Sequence, residues 1–162
     1  MRSQKLIPAL ALAAGLAVPA TLVAAPPAGA TAMAATCRVE VDFVDANNVD
    51  ETDNVDEIRI NLGGIMYPAG NSWVNMWAGA RAYTASFGSP SAVISSAGSA
   101  LFTLSEVTPP WVANGTTLGT ITARGSTCAG LATGQVATIS KTISGNNDTF
   151  YSYFISLVMT GL

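Results

Sequence analysis

The chain has no histidine, only two cysteines and few charges, with 10% of its 162 residues Asp, Glu, Lys or Arg. Without histidine, Ser–His and Cys–His nucleophile systems and His-ligated zinc are excluded. Basic residues are scarce, seven against ten acids. A phosphate backbone needs a basic surface, so nucleic acid is not an expected partner. No phosphate-binding loop or dinucleotide glycine pattern is present, and Gly63-Gly64 simply follows an apolar-periodic run. A carboxylate pair hydrolysing a glycoside would need one acid held protonated by an apolar pocket. Most acids here crowd a polar turn instead, the wrong setting for a raised pKa. The chain is not expected to be an enzyme.

Residues 1–30 read as an export signal. Arg2 and Lys5 precede a run of Ala, Leu, Val, Ile and Pro from Leu6 to Ala25, and Ala28-Gly29-Ala30 offers a cleavage site, with Ala32-Met33-Ala34 a second. Pro8, Pro19, Pro26 and Pro27 argue against a membrane-spanning helix. The mature chain is expected to begin at Thr31 or Ala35, secreted, extracellular and soluble. Without Arg2 and Lys5 it carries five basic residues against ten acids, a net charge of −5. In an oxidising compartment the lone pair Cys37 and Cys128 is most simply a disulfide.

The periodicity of the mature part is that of strands. Val39, Val41 and Phe43 alternate with acids, and Ile58, Ile60 and Leu62 alternate with Glu57, Arg59 and Asn61. Further runs are 73–77, 81–87, 101–107, 117–123, 135–143 and 150–159, separated by turn signals such as Gly88-Ser-Pro90, Asn114-Gly115 and Gly145-Asn146-Asn147. In the last run Tyr151, Tyr153, Ile155, Leu157 and Met159 share a face, as in a central strand. Ser91 to Ala100 also reads as a short helix without a clear cap. The expectation is an all-β fold over residues 31–162, a single antiparallel β-sandwich of about eight strands with one disulfide. The runs show no consistent lipid-facing side, which excludes an outer-membrane barrel.

Eight of the ten acids lie between Glu40 and Glu57. Unit charges about 7 Å apart in water repel by roughly 0.6 kcal/mol, so the run needs water or a cation around it. If the strands flanking it pair directly, Asp45 and Asp56 face each other at the base of a connection that carries Asp50, Glu51 and Asp53 at its tip. Calcium takes six to eight oxygens, and Asp45, Asp50, Glu51, Asp53 and Asp56 are the candidate ligands. The loop is not an EF-hand, because Asp50 stands where glycine is needed. The alternative is a metal-free, solvated charge run in which Arg59 pairs with a neighbouring acid across the strands. If the acids only repel, neutralising Asp53 and Asp56 together should slightly raise stability without calcium.

The stretch Glu51-Thr-Asp53-Asn-Val-Asp56-Glu57-Ile58-Arg-Ile60 resembles the acidic turn and strand of small secreted bacterial β-sandwich modules of the C2 or PLAT kind. It departs from many of them at Asn54-Val55, where they carry Gly-Ser. The resemblance implies calcium ligands on loops at one end of a sandwich and implies no catalytic residue.

Trp73, Asn75 and Trp77 share one strand face. Trp73 and Trp77 either form a ligand-binding platform for a sugar chain or fill the core, and core filling is the usual fate of tryptophan in a small β domain. Two classes of function follow. One is an extracellular binding module for a protein or polysaccharide ligand, its acidic loop holding calcium. The other is a structural or assembly protein without a metal, since residues 61–162 carry only five charges to oppose self-association.

Overall fold

The computed structural model describes residues 33–110 and 114–162. The export segment assigned to 1–30, and Trp111, lie outside the described residues. No helix among the described residues is long and apolar enough to cross a membrane.

Among the described residues, ten strands form two five-stranded antiparallel sheets. In the first, β1 (Thr36–Asn48) pairs along one edge with β10 (Phe150–Gly161), which pairs in turn with β9 (Val136–Asn146). The other edge of β1 is shared by two short strands. β5 (Arg81–Tyr83) pairs with Phe43–Asp45 and β6 (Ser91–Ser95) with Thr36–Glu40. In the second sheet β2 (Asp56–Leu62) pairs on one side with β7 (Ser99–Glu106), followed by β8 (Thr116–Arg124). Its other side carries β3 (Ile65–Tyr67) and β4 (Val74–Met76). A 3₁₀ turn at Thr84–Phe87 and a helical turn at Gly125–Cys128 complete the described elements.

The strands arise from alternation. Tyr151, Tyr153, Ile155, Leu157 and Met159 are all buried on the inner face of β10, the central strand that their spacing suggests. Ile58 and Ile60 of β2, with Phe102 and Leu104 of β7, supply the inner face of the other sheet. Each such side chain contributes about 1.5–3 kcal/mol by leaving water. Along one side the sheets close on each other. A Cβ at Gly119 would lie 2.6 Å from Ile143 Cγ2, so only glycine permits the approach of β8 to β9. Lys141 Nζ also donates to Thr120 O there at 2.7 Å. Cys37 and Cys128 are bonded, tying the start of β1 to the turn after β8.

Three sequence expectations change. Strands β1 and β2 lie in different sheets, so Asp45 and Asp56 do not face each other, and residues 49–55 cross from one layer to the other. Ser91 to Ala100 holds β6 and the start of β7 rather than a helix. In β1 a bulge between Val41 and Phe43 reverses the alternation. Val44 and Ala46 then point inward, while Phe43 turns outward to stack on Phe154 at 6.0 Å beneath the Arg81 guanidinium.

Candidate functional site

Four of the five candidate ligands, Asp45, Asp50, Asp53 and Asp56, meet three fates, set by which donors reach each carboxylate. Asp45, outward on β1, is clamped by its cross-strand partner Arg81 through Nε–Oδ1 at 2.6 Å and Nη2–Oδ2 at 2.7 Å. Asp53 is exposed and accepts the Val55 N–H at 3.0 Å, an Asx turn that shapes the tip.

Asp50 and Asp56 are 2% and 0% exposed. Asp56 accepts N–H bonds from Asp50 at 2.8 Å and Glu51 at 2.9 Å, and the Tyr153 hydroxyl also donates to it. Asp50 Oδ1 in turn accepts the N–H groups of Asn147, Asp148 and Thr149 at 3.1–3.2 Å. Thr149 Oγ1 closes the link by donating to the Asp50 carbonyl at 2.6 Å. Two buried carboxylates thus satisfy six hydrogen-bond donors and lock the crossover to the β9–β10 turn. Neutralising Asp56 would leave buried donors without an acceptor, so the slight stabilisation expected from charge relief alone does not apply to it.

The structure gathers a different group of acids. Carboxylate oxygens of Glu51, Glu57 and Glu106 lie within 4.8 Å of one another. Glu51 belongs to the acidic run, Glu57 stands at the start of β2 and Glu106 ends β7. Glu106 continues the inward positions of Phe102 and Leu104 and pairs in register with Ile58, which leaves it 7% exposed. An acid on the inward beat of an apolar strand was the sequence signal for it.

Burial pushes the Glu106 carboxyl up to about 7, and the hydrogen bond and charge of Glu51, then the charge of Asp56, push the same way. Glu51 and Glu57 are also raised, chiefly by burial and then by neighbouring acids, although the hydrogen bond with Glu106 pulls Glu51 back down. The proton therefore rests on Glu106. Between its ordinary 4.5 and about 7 the folded chain binds more protons at this group than the unfolded chain does. The contribution of Glu106 alone should fall by up to about 3 kcal/mol as pH rises through that window, with Glu51 and Glu57 adding to the decline in the same direction. Urea unfolding from pH 4.5 to 8 should show this decline in wild type and a much shallower one in Glu106→Gln.

The tryptophans lie beside this centre, since Asn75 between them is the cross-strand partner of Glu57. Met76 is buried and Val74 packs on the core, so Trp73, Asn75 and Trp77 face the other way, and Trp77 is 58% exposed. Core filling is thus excluded for Trp77. Arg59, expected to pair with a neighbouring acid, is instead 3% exposed and donates through Nη2 to the carbonyls of Pro68 at 2.7 Å and Gly70 at 2.9 Å. Its Nε has no hydrogen-bond partner.

No family model matches the chain, and no curated protein matches it. Among solved structures, a C2 domain of plant extended synaptotagmin 1 aligns with a TM-score of 0.46 and 9% identity. The alignment covers 81% of this chain and 98% of that one. That likeness is too distant to assign a function.

Proposed function

We propose that the protein is a secreted β-sandwich binding module whose crossover end holds calcium between Glu51, Glu57 and Glu106. The observation that carries this is the convergence of three carboxylates from separate segments within 4.8 Å, one of them buried. Oxygens sharing a calcium ion 2.3–2.6 Å away lie within about 5 Å of one another, so the donor set fits the ion's size and its preference for hard oxygen ligands. No basic side chain of the described residues lies within ion-pair distance of these acids; the one such pair is Arg81 with Asp45. A divalent cation would offset both the burial of the Glu106 charge and its repulsion by neighbouring acids, and would fasten the crossover to β2 and β7.

Calorimetric titration of the mature chain with calcium chloride at pH 8 tests this reading. Saturable binding in the range typical of extracellular modules, roughly 10⁻⁴–10⁻³ M, is expected. Magnesium should bind more weakly, because it holds its waters and demands a tight octahedron. Glu57→Gln should weaken calcium binding, whereas Asp53→Asn should leave it unchanged.

A second reading, a structural or assembly protein, is favoured by the open side of the sandwich. There an uncharged cleft of about 540 Å³ is lined by Leu62, Ala92, Val93, Ile94, Ala100 and Leu101. Mass in solution separates the two: an ordered oligomer supports assembly, and a monomer supports the binding module.

A further inference from the structure

We propose that Trp73, Asn75 and Trp77 form a docking strip for a neutral polysaccharide chain. This gives the binding-module reading its ligand class and does not depend on the cation. The three residues alternate along β4 and its flanks, with Met76 and Val74 turned to the core between them. At about 3.3 Å per residue the two indoles span roughly 13 Å, long enough to meet more than one ring of an extended chain. An indole offers a flat apolar face to the C–H side of a sugar ring, and an exposed amide beside it can exchange hydrogen bonds with hydroxyls.

The strip is held in place from both ends. Arg59 fixes the approach through Pro68 and Gly70, although a buried guanidinium with an unpartnered Nε is a costly anchor. Locally unfavourable choices of that kind concentrate where a surface must be positioned for function. Beyond the strip, Ala80 N–H donates to Trp77 O at 2.8 Å and Gly79 N–H to Ala46 O at 2.7 Å. Within it, Trp73 Nε1 donates to Asn75 Oδ1 at 2.8 Å, which orients that ring. A surface ordered before binding loses little entropy when a ligand lands on it.

Charge selects the ligand. The strip carries none, and the cross-strand partner of Asn75 is Glu57. With no charged side chain among its three residues the strip offers a uronate or phosphate no counter-charge, and the net charge of −5 on residues 31–162 repels both, which leaves an uncharged polyhydroxyl chain as the matching occupant whether or not Glu57 holds a cation.

Native gel electrophoresis of the mature protein in gels cast with hydroxyethylcellulose, glucomannan, xyloglucan or laminarin tests the proposal, with polygalacturonate as the acidic counterpart. At least one neutral polymer should retard wild type, and polygalacturonate should not. Trp77→Ala should weaken that retardation about tenfold or more, a loss of about 1.4 kcal/mol of binding. Its melting temperature and calcium response should be unchanged. Glu106→Gln should lose the calcium response and keep the retardation, so the strip and the cation site can fail separately. Retardation by none of the four neutral polymers, by polygalacturonate alone, or equally in wild type and Trp77→Ala overturns the proposal. A protein partner for the strip would show as the first of these.

Discussion

Replacing Cys37 or Cys128 with serine is expected to lower the unfolding free energy by about 4–5 kcal/mol. The bridge closes a loop between residues 91 positions apart, and on the chain-entropy model releasing such a loop restores that much freedom to the denatured chain. Both sulfurs are fully buried, so a serine hydroxyl at either site would also need a partner that the apolar surroundings do not offer. The strand affected is the one that carries the first sheet, since β1 bonds β10 on one edge and β5 and β6 on the other. Urea denaturation of each single variant checks this. A loss below about 1 kcal/mol would mean that the bridge adds nothing to a sandwich already closed by its core.

Asp56→Ala should be nearly as damaging, by about 3–5 kcal/mol. It would strip the acceptor from two buried backbone N–H groups and the Tyr153 hydroxyl, each costing about 1–3 kcal/mol if left unpaired. Tyr153→Phe removes one donor and leaves the carboxylate with the others, so about 1 kcal/mol is expected. Asp53→Asn, at the exposed tip, should change stability by less than about 0.5 kcal/mol. Asp56→Ala and Asp53→Asn each remove one negative charge from the same chain segment, whereas Tyr153→Phe removes none. A graded series of losses therefore reports hydrogen bonding, whereas equal effects of the two aspartate variants would report charge alone.

How legible the fold was in the sequence depended on whether one beat ran unbroken. In β10 five apolar side chains keep the period of two from Tyr151 to Met159, and all five are in the core. In β1 the period breaks at a bulge that leaves no mark in residue type, so Phe43 read as core and is not. Strands β3 and β6, of three and five residues, are too short or too rich in Ser and Ala to announce themselves by pattern, and of the run 81–87 only Arg81–Tyr83 is strand, the rest being a 3₁₀ turn. The pairing of Cys37 with Cys128 followed from there being only two cysteines. Which acids would meet was the hardest feature to read. Nearness in sequence grouped Asp45 to Asp56, but the chain changes sheets within that run, and backbone N–H groups claim Asp50 and Asp56. The carboxylates that converge include Glu106, fifty-five residues after Glu51 and brought near it by the pairing of β7 with β2, which sets Glu106 opposite Ile58.

Thermal unfolding of the mature chain at pH 8, in calcium chloride and in sodium chloride of equal ionic strength, tests the cation site most directly when wild type and Glu106→Gln are run together. At a hundredfold excess over the dissociation constant, calcium held only by the folded state should add about 2.7 kcal/mol. For a domain of this size that is a rise of about 10 °C in melting temperature. Sodium chloride should give wild type much less. Glu106→Gln should start out more stable than wild type without calcium, having shed a buried charge, and should gain little when calcium is added. An equal gain from the two salts in wild type, or an equal calcium gain in both proteins, would contradict a cation site at Glu51, Glu57 and Glu106.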